Sequence, residues 1–155
     1  MTVWIRRTAG VALAAGLLLG TGAAAGPAIA ATPAAAGAEQ SARIGVVQQV
    51  TAFYDQYLSA VEGTNPHMNP AEVRAEFLTA DLDARLTVWA EENQADPVFR
   101  AQNVPQDRDV RYAGSGAGHA SVVVTEYFGS GERIEVWYRV PLAGGRISDL
   151  TDAPA

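Results

Sequence analysis

The chain has no cysteine and no lysine, only two histidines, and no long run of strongly apolar residues beyond its first segment. Each shortage excludes something. Without cysteine there is no disulfide scaffold, no thiol chemistry and no lipid-bearing cysteine at a cleavage point. With His67 and His119 as the imidazoles, a His-rich zinc site lacks its raw material, so neither a metal nor a cofactor is expected. No HExxH, CxxC, GxSxG, P-loop or GxGxxG pattern occurs. The 11 basic residues are all arginine, which reads as the codon bias of a high-GC genome, such as an actinobacterium's, more than as a physical requirement. They are interspersed with 17 acids at a net charge of −6, and no basic run forms. A clustered positive face is what nucleic acid or an anionic membrane would need, so neither partner is expected.

What the sequence does have begins with an export signal. Arg6 and Arg7 form a positive n-region, and Thr8 to Leu19 is almost uninterruptedly apolar. Small residues then lead to Ala28-Ile29-Ala30, the small-x-small pattern that a signal peptidase accepts. The apolar core is short of the ~20 residues a membrane span needs. Residues 1–30 are therefore expected to be a signal peptide cleaved near Ala30, leaving a secreted protein with no membrane anchor. Ile5 and Ala9 depart from the twin-arginine pattern around Arg6-Arg7, which favours the general secretory route. Residues 31–43, rich in Ala and Pro, bury nothing and are expected to be a disordered linker. From there to residue 150 a single domain of ordinary size is expected, with a loose tail at 151–155.

Along that domain the hydrophobic period changes once. Ile44, Val47, Val50, Tyr54, Leu58 and Val61 recur at steps of three and four, with Phe53 and Tyr57 widening the face, which predicts a helix capped by Ser41. Asn69-Pro70-Ala71-Glu72 predicts the start of a short second helix. Thr79 or Asp81 should cap a third, with Leu82, Leu86, Trp89 and Ala90 inward. After Pro105 the alternation is that of strands: Asp109–Ala113, His119–Phe128, Arg133–Pro141 and Arg146–Leu150. On the second, Ala120, Val122, Val124, Glu126 and Phe128 share a face. On the third, Ile134, Val136, Tyr138 and Val140 lie opposite Arg133, Glu135, Trp137 and Arg139. The glycines of Gly114–Gly118 lack a following helix N-terminus and read as a hairpin connection rather than a phosphate loop. The expected fold class is α+β, with three N-terminal helices on a curved antiparallel sheet of about four strands.

This order of elements resembles the cone-shaped nuclear-transport-factor-two-like fold. Within it, Val50-Thr-Ala-Phe-Tyr-Asp-Gln-Tyr-Leu58 resembles the opening helix of a group of bacterial exported proteins catalogued as a domain of unknown function, number 3828. Ala95–Asn103 is similar to that group's loop signature of Asp-Pro, an aromatic, then Ala-Gln-Asp/Asn. Gly145–Leu150 is similar to its final strand. The resemblance covers about Ile44 to Leu150 and implies a fold and an extracytoplasmic place, not an activity. Many members are lipoproteins, and this chain departs from them in having no cysteine.

A concave sheet closed by a helix leaves a pocket at its open end, and Tyr54, Tyr57, Trp89, Tyr127, Trp137 and Arg139 are the candidates to line it for a small molecule or peptide. Packing alone is the plainer reading of such rings. His119, oriented by Asp96 or Asp109, is the candidate general base, although its place after a Gly-rich loop points it to solvent. His67 has no nearby acid. Asp81/Asp83 and Glu91/Glu92 read as a solvated helix surface, and Asp107/Asp109 lack the further acids that calcium requires. Asp96 should close an Asx-type turn, with Gln102 and Asn103 bridging the loop to the sheet. The expected function is a secreted, non-enzymatic module binding a small molecule, peptide or envelope partner. The alternatives are a small hydrolase, isomerase or dehydratase using His119 with a carboxylate, or a secreted inhibitor or immunity-type protein. The Trp137/Arg139 face permits a homodimer without requiring one.

Overall fold

The computed structural model describes residues 33–154. The expected signal peptide and its cleavage after Ala30 lie outside the described residues. Three helices come first: α1 (Pro33–Val61), α2 (Pro70–Phe77) and α3 (Ala80–Asn93). Four strands follow, β1 (Asp107–Gly116), β2 (His119–Tyr127), β3 (Arg133–Pro141) and β4 (Asp149–Asp152), paired antiparallel in the order β1-β2-β3-β4. The sheet is not closed, and α1 packs against β1, β2 and α2. This is the expected α+β class. Among the described residues no helix is long and apolar enough to cross a membrane.

Helix α1 departs from the expectation of a linker over 31–43. It is already helical from Pro33, eight residues before Ser41, whose hydroxyl bonds the Gly37 carbonyl at 3.0 Å from within the helix. The cause is intrinsic propensity: Pro suits a first helical turn, and alanine loses least on becoming helical. From Ala36 to Gly45 the helix is exposed apart from half-buried Ala42, and the core begins at Val46. The buried stripe is Val46, Val50, Phe53, Tyr54, Tyr57 and Ala60, while Ile44 is 48% exposed and Val47, Leu58 and Val61 flank the stripe. The contact face is thus rotated toward the aromatic residues, which bury the most area per side chain.

The short helices begin as their sequences predict. Asn69 Oδ1 accepts from Glu72 N at 3.0 Å, and Glu72 Oε2 accepts from Asn69 N at 2.8 Å, a complete capping box. Eight residues give α2 little strength of its own. Asn69→Ala should therefore cost about 1 kcal/mol, read as a lower Tm in a thermal melt; an unchanged Tm would show that burial of Val73 alone holds the helix. Thr79, rather than Asp81, caps α3, accepting from Leu82 N at 3.3 Å.

In the sheet, Ala120, Val122, Val124 and Glu126 of β2 and Val136, Tyr138 and Val140 of β3 are all buried on the helix side. Val123 and Thr125 are also buried on the other side, at 0% and 6% exposed. They sit in cross-strand rows, between Arg111 and Trp137 and between Asp109 and Glu135, whose longer side chains cover them. Strand β1 is longer than Asp109–Ala113 because its register shifts between Tyr112 and Gly114, and Gly114 takes φ 143 there, which lets pairing resume. The last strand also moves. Residues 146–148 do not pair as a strand: Ile147 docks beside Leu78, donating to Phe77 O and accepting from Thr79 N, both at 2.9 Å. Pairing with β3 starts only at Asp149 and runs to Asp152, into the stretch expected to be a loose tail.

Candidate functional site

Strand alternation decides which of the expected pocket residues can meet. Tyr54 and Tyr57 are buried on α1 at 0% and 1% exposed and face the sheet interior. Trp137 and Arg139 alternate with inward Tyr138 and lie on the opposite face, half-buried and exposed. Tyr127 is 37% exposed, its hydroxyl donating to Asp109 Oδ2 at 3.0 Å. Trp89 stands on α3 under the Arg100 guanidinium, 4.2 Å from its ring centroid. The six therefore divide among the interior, the α3 side and the outer sheet face.

The acid–base candidates are likewise apart. His119 opens β2, and its Nδ1 lies 3.0 Å from the Ala117 carbonyl of its own hairpin turn. Both oxygens of Asp96 are engaged elsewhere: Oδ1 accepts from Val98 N and Phe99 N at 2.8 and 2.9 Å, and Oδ2 from the Tyr57 hydroxyl at 2.9 Å. Asp109 receives Tyr127. His67 is exposed beside an open depression of about 360 Å³ that also includes Asp55 and Asn65. Among the described residues, no three His, Asp or Glu side chains converge on a point where a metal ion could sit.

The expected Asx turn at Asp96 is present, but exposed Gln102 and Asn103 do not tie its loop to the sheet. Arg100 does. Its φ of 54 lies in the left-handed region, strain of about 1–3 kcal/mol for a non-glycine residue. The guanidinium donates to Leu150 O at 3.3 Å and lies 3.2 Å from Asp152. Tyr57→Phe removes the hydroxyl that anchors Asp96. It should cost about 1.5–3 kcal/mol in urea unfolding, and a loss below about 0.5 kcal/mol would mean that the Asx turn orders the loop alone.

Inside the domain the structure assembles a polar cluster in which Tyr54, from the expected site, meets Glu126 and Tyr138, which were not in it. Glu126 stands in the apolar register of β2 and is 0% exposed, and neither carboxyl oxygen has a hydrogen-bond partner. The Tyr54 hydroxyl, from α1, lies close enough to act on this carboxyl though outside hydrogen-bonding geometry, and the fully buried Tyr138 hydroxyl, from β3, faces it without a partner. Burial pushes the Glu126 carboxyl up to about 8, the adjacent Tyr54 hydroxyl pulls back toward ionisation, and the Asp96 carboxylate adds to the rise. Burial first, then the neighbouring acid, raises Tyr54 through Glu126 and Tyr57 through Asp96. At neutral pH the cluster thus consists of a protonated carboxyl and neutral phenols, able both to donate and to accept.

Two arginines border it. Arg108 is the cross-strand partner of Glu126 in β1, yet its guanidinium turns to Asp55 on α1 and lies 5.4 Å from the Tyr54 ring centroid. Its buried Nε has no partner, and neither does one terminal nitrogen of Arg100, whose Nε is ion-paired with Asp152. Burying polar groups without partners costs about 1–3 kcal/mol each, so such a concentration in one place marks a site more than a scaffold. The sequence held one signal for it: a glutamate on the strand face shared by Ala120, Val122 and Val124. Arg108 carried none, since nothing in the spacing says which acid it will choose.

A crystal structure of a protein of unknown function from Bacteroides thetaiotaomicron is similar to this chain at a TM-score of 0.61 and 19% identity, covering 76% of this chain and 97% of that one. That likeness is one of fold. No family model matches the chain, and no curated protein matches it.

Proposed function

We propose that this is an exported, non-enzymatic binding domain that takes a small molecule into its interior at Glu126, between Tyr54 and Tyr138. One observation carries the reading: a carboxyl group at 0% exposure with both oxygens free of partners, flanked by two phenol hydroxyls in the same state. A ligand bearing hydrogen-bond donors would satisfy groups that the fold leaves unsatisfied, and the adjacent Tyr54 ring, packed on Phe99 at 5.7 Å between centroids, offers it apolar contact. The N-terminal segment supports export, and the resemblance of Val50–Leu58, Ala95–Asn103 and Gly145–Leu150 to an exported group supports the same placement. A His119–carboxylate enzyme has no comparable support, because His119 lies seven residues from Glu126 along β2, roughly 23 Å at strand spacing.

A fragment screen by ligand-observed NMR tests the reading. Binders are expected to perturb the ring resonances of Tyr54, Tyr57 and Tyr138 and to be lost in Glu126→Gln. Binders that leave those rings unmoved and touch only Trp137, Arg139 or Tyr127 would transfer the site to the outer sheet face, where a protein partner or second copy fits better than a small molecule.

A further inference from the structure

Resting on the reading of the Glu126 interior as the binding site, we propose that its ligand is a small organic cation, an amine carrying one ammonium group. The chain supplies the carboxyl without a counterion. None of the ion pairs among the described residues includes Glu126. Arg108, directly across in register, is committed to Asp55, and Arg100 is committed to Leu150 O, Asp152 and the Trp89 ring. The other charged group acting on Glu126 is Asp96, a second carboxylate held by three hydrogen bonds. Two acids facing one interior repel an anion and favour a cation.

The neighbouring side chains suit the same charge. Tyr54 and Tyr138 put aromatic rings beside the acid, with Phe99 against the Tyr54 ring at a centroid distance of 5.7 Å, and a ring face attracts an ammonium. An ammonium also has donors for Glu126 Oε1, Glu126 Oε2 and one phenol oxygen, which are the acceptors left open. On binding, Glu126 gives up its proton and pairs with the ligand as a carboxylate. The proton leaves to solvent, so uptake of the cation and release of the proton balance. The groups facing this exchange are Tyr54 and Tyr57 of α1, Arg108 of β1, Tyr138 of β3, and Asp96 and Arg100 of the loop after α3. Of these, the phenols stay neutral because burial raises them. Because only the ionised carboxyl pairs with the cation, affinity should rise close to tenfold per pH unit below about 8 and level off above it.

Calorimetric titration with ammonium, methylammonium and benzylammonium chlorides, set against methanol and benzyl alcohol, tests this on the whole protein at pH 6, 7 and 8. At least one ammonium probe should bind, with its Kd falling about tenfold from pH 6 to pH 7, and the matching alcohol should not. The 13C carboxyl resonance of Glu126, read on the wild-type protein, should move to the ionised position on addition of the amine. Glu126→Gln should weaken the amine at least tenfold. Alcohols that bind as well as the amines, or an amine that leaves the carboxyl resonance unmoved, would overturn the cation inference while the interior site stands. Failure of every ammonium probe overturns it too. The interior site itself falls separately, if the fragment screen yields no ligand that perturbs the three tyrosine rings.

Discussion

Urea unfolding at pH 5, 7 and 9 should show the wild-type protein losing stability as pH rises, relative to Glu126→Gln, by an amount on the order of 4 kcal/mol. Folding lifts this carboxyl from an ordinary 4.5 to about 8, chiefly by burial. The folded state therefore holds the proton more tightly than the unfolded chain. Below the unfolded value both states are protonated and the contribution is fully present. It is lost progressively as pH climbs from 4.5 through 8, and is flat beyond. Glutamine keeps the shape and cannot ionise, so the variant lacks that slope and its difference from wild type isolates the one group. Parallel wild-type and variant curves from pH 5 to 9 would show that Glu126 is solvated in the folded protein, which would remove the basis of the interior site.

Truncating Phe53 should have a comparable effect with no pH dependence. This ring is 0% exposed and has Tyr57, Phe77 and Tyr138 around it at centroid distances of 5.8, 5.8 and 6.1 Å. It joins α1, α2 and β3 through one side chain, so Phe53→Ala leaves a hole that no single neighbour can fill. About 3–5 kcal/mol is expected, measured by urea unfolding at one pH. The contrast is Tyr127→Ala on the outer sheet face. That ring is 37% exposed and bonds only Asp109, so its loss should stay within about 0.5–1 kcal/mol. Equal losses at the two positions would mean that the outer face is packed against something, and the division of the expected pocket residues between two faces would fail.

The elements whose signals are local were legible. The capping box at Asn69 and Glu72 needs only residues three apart, and the Asx turn at Asp96 needs only the next two or three amides. Strand β3 runs from Arg133 to Pro141 as its alternation predicts, because glycines on both sides leave no competing structure. Legibility failed where two local preferences competed. Residues 33–43 could be linker by burial or helix by propensity, and propensity decided. Ile147 could extend a strand or dock on Leu78, and the docked position buries it fully.

By itself the sequence determined the fold class, the change from helical to alternating period, and the face of β2 on which Glu126 stands. Those follow from periodicities of 3.6 and 2, which are properties of a chain segment alone. Only the tertiary structure decided that this face would be sealed by Tyr54 and Tyr138, that Arg108 would turn to Asp55, and that Trp137 and Arg139 would be separated from Tyr54 by the thickness of the sheet. Partner choice between long side chains depends on which elements come together, and desolvation depends on what covers a residue from elsewhere in the chain. Neither quantity exists until the helices and the sheet have packed.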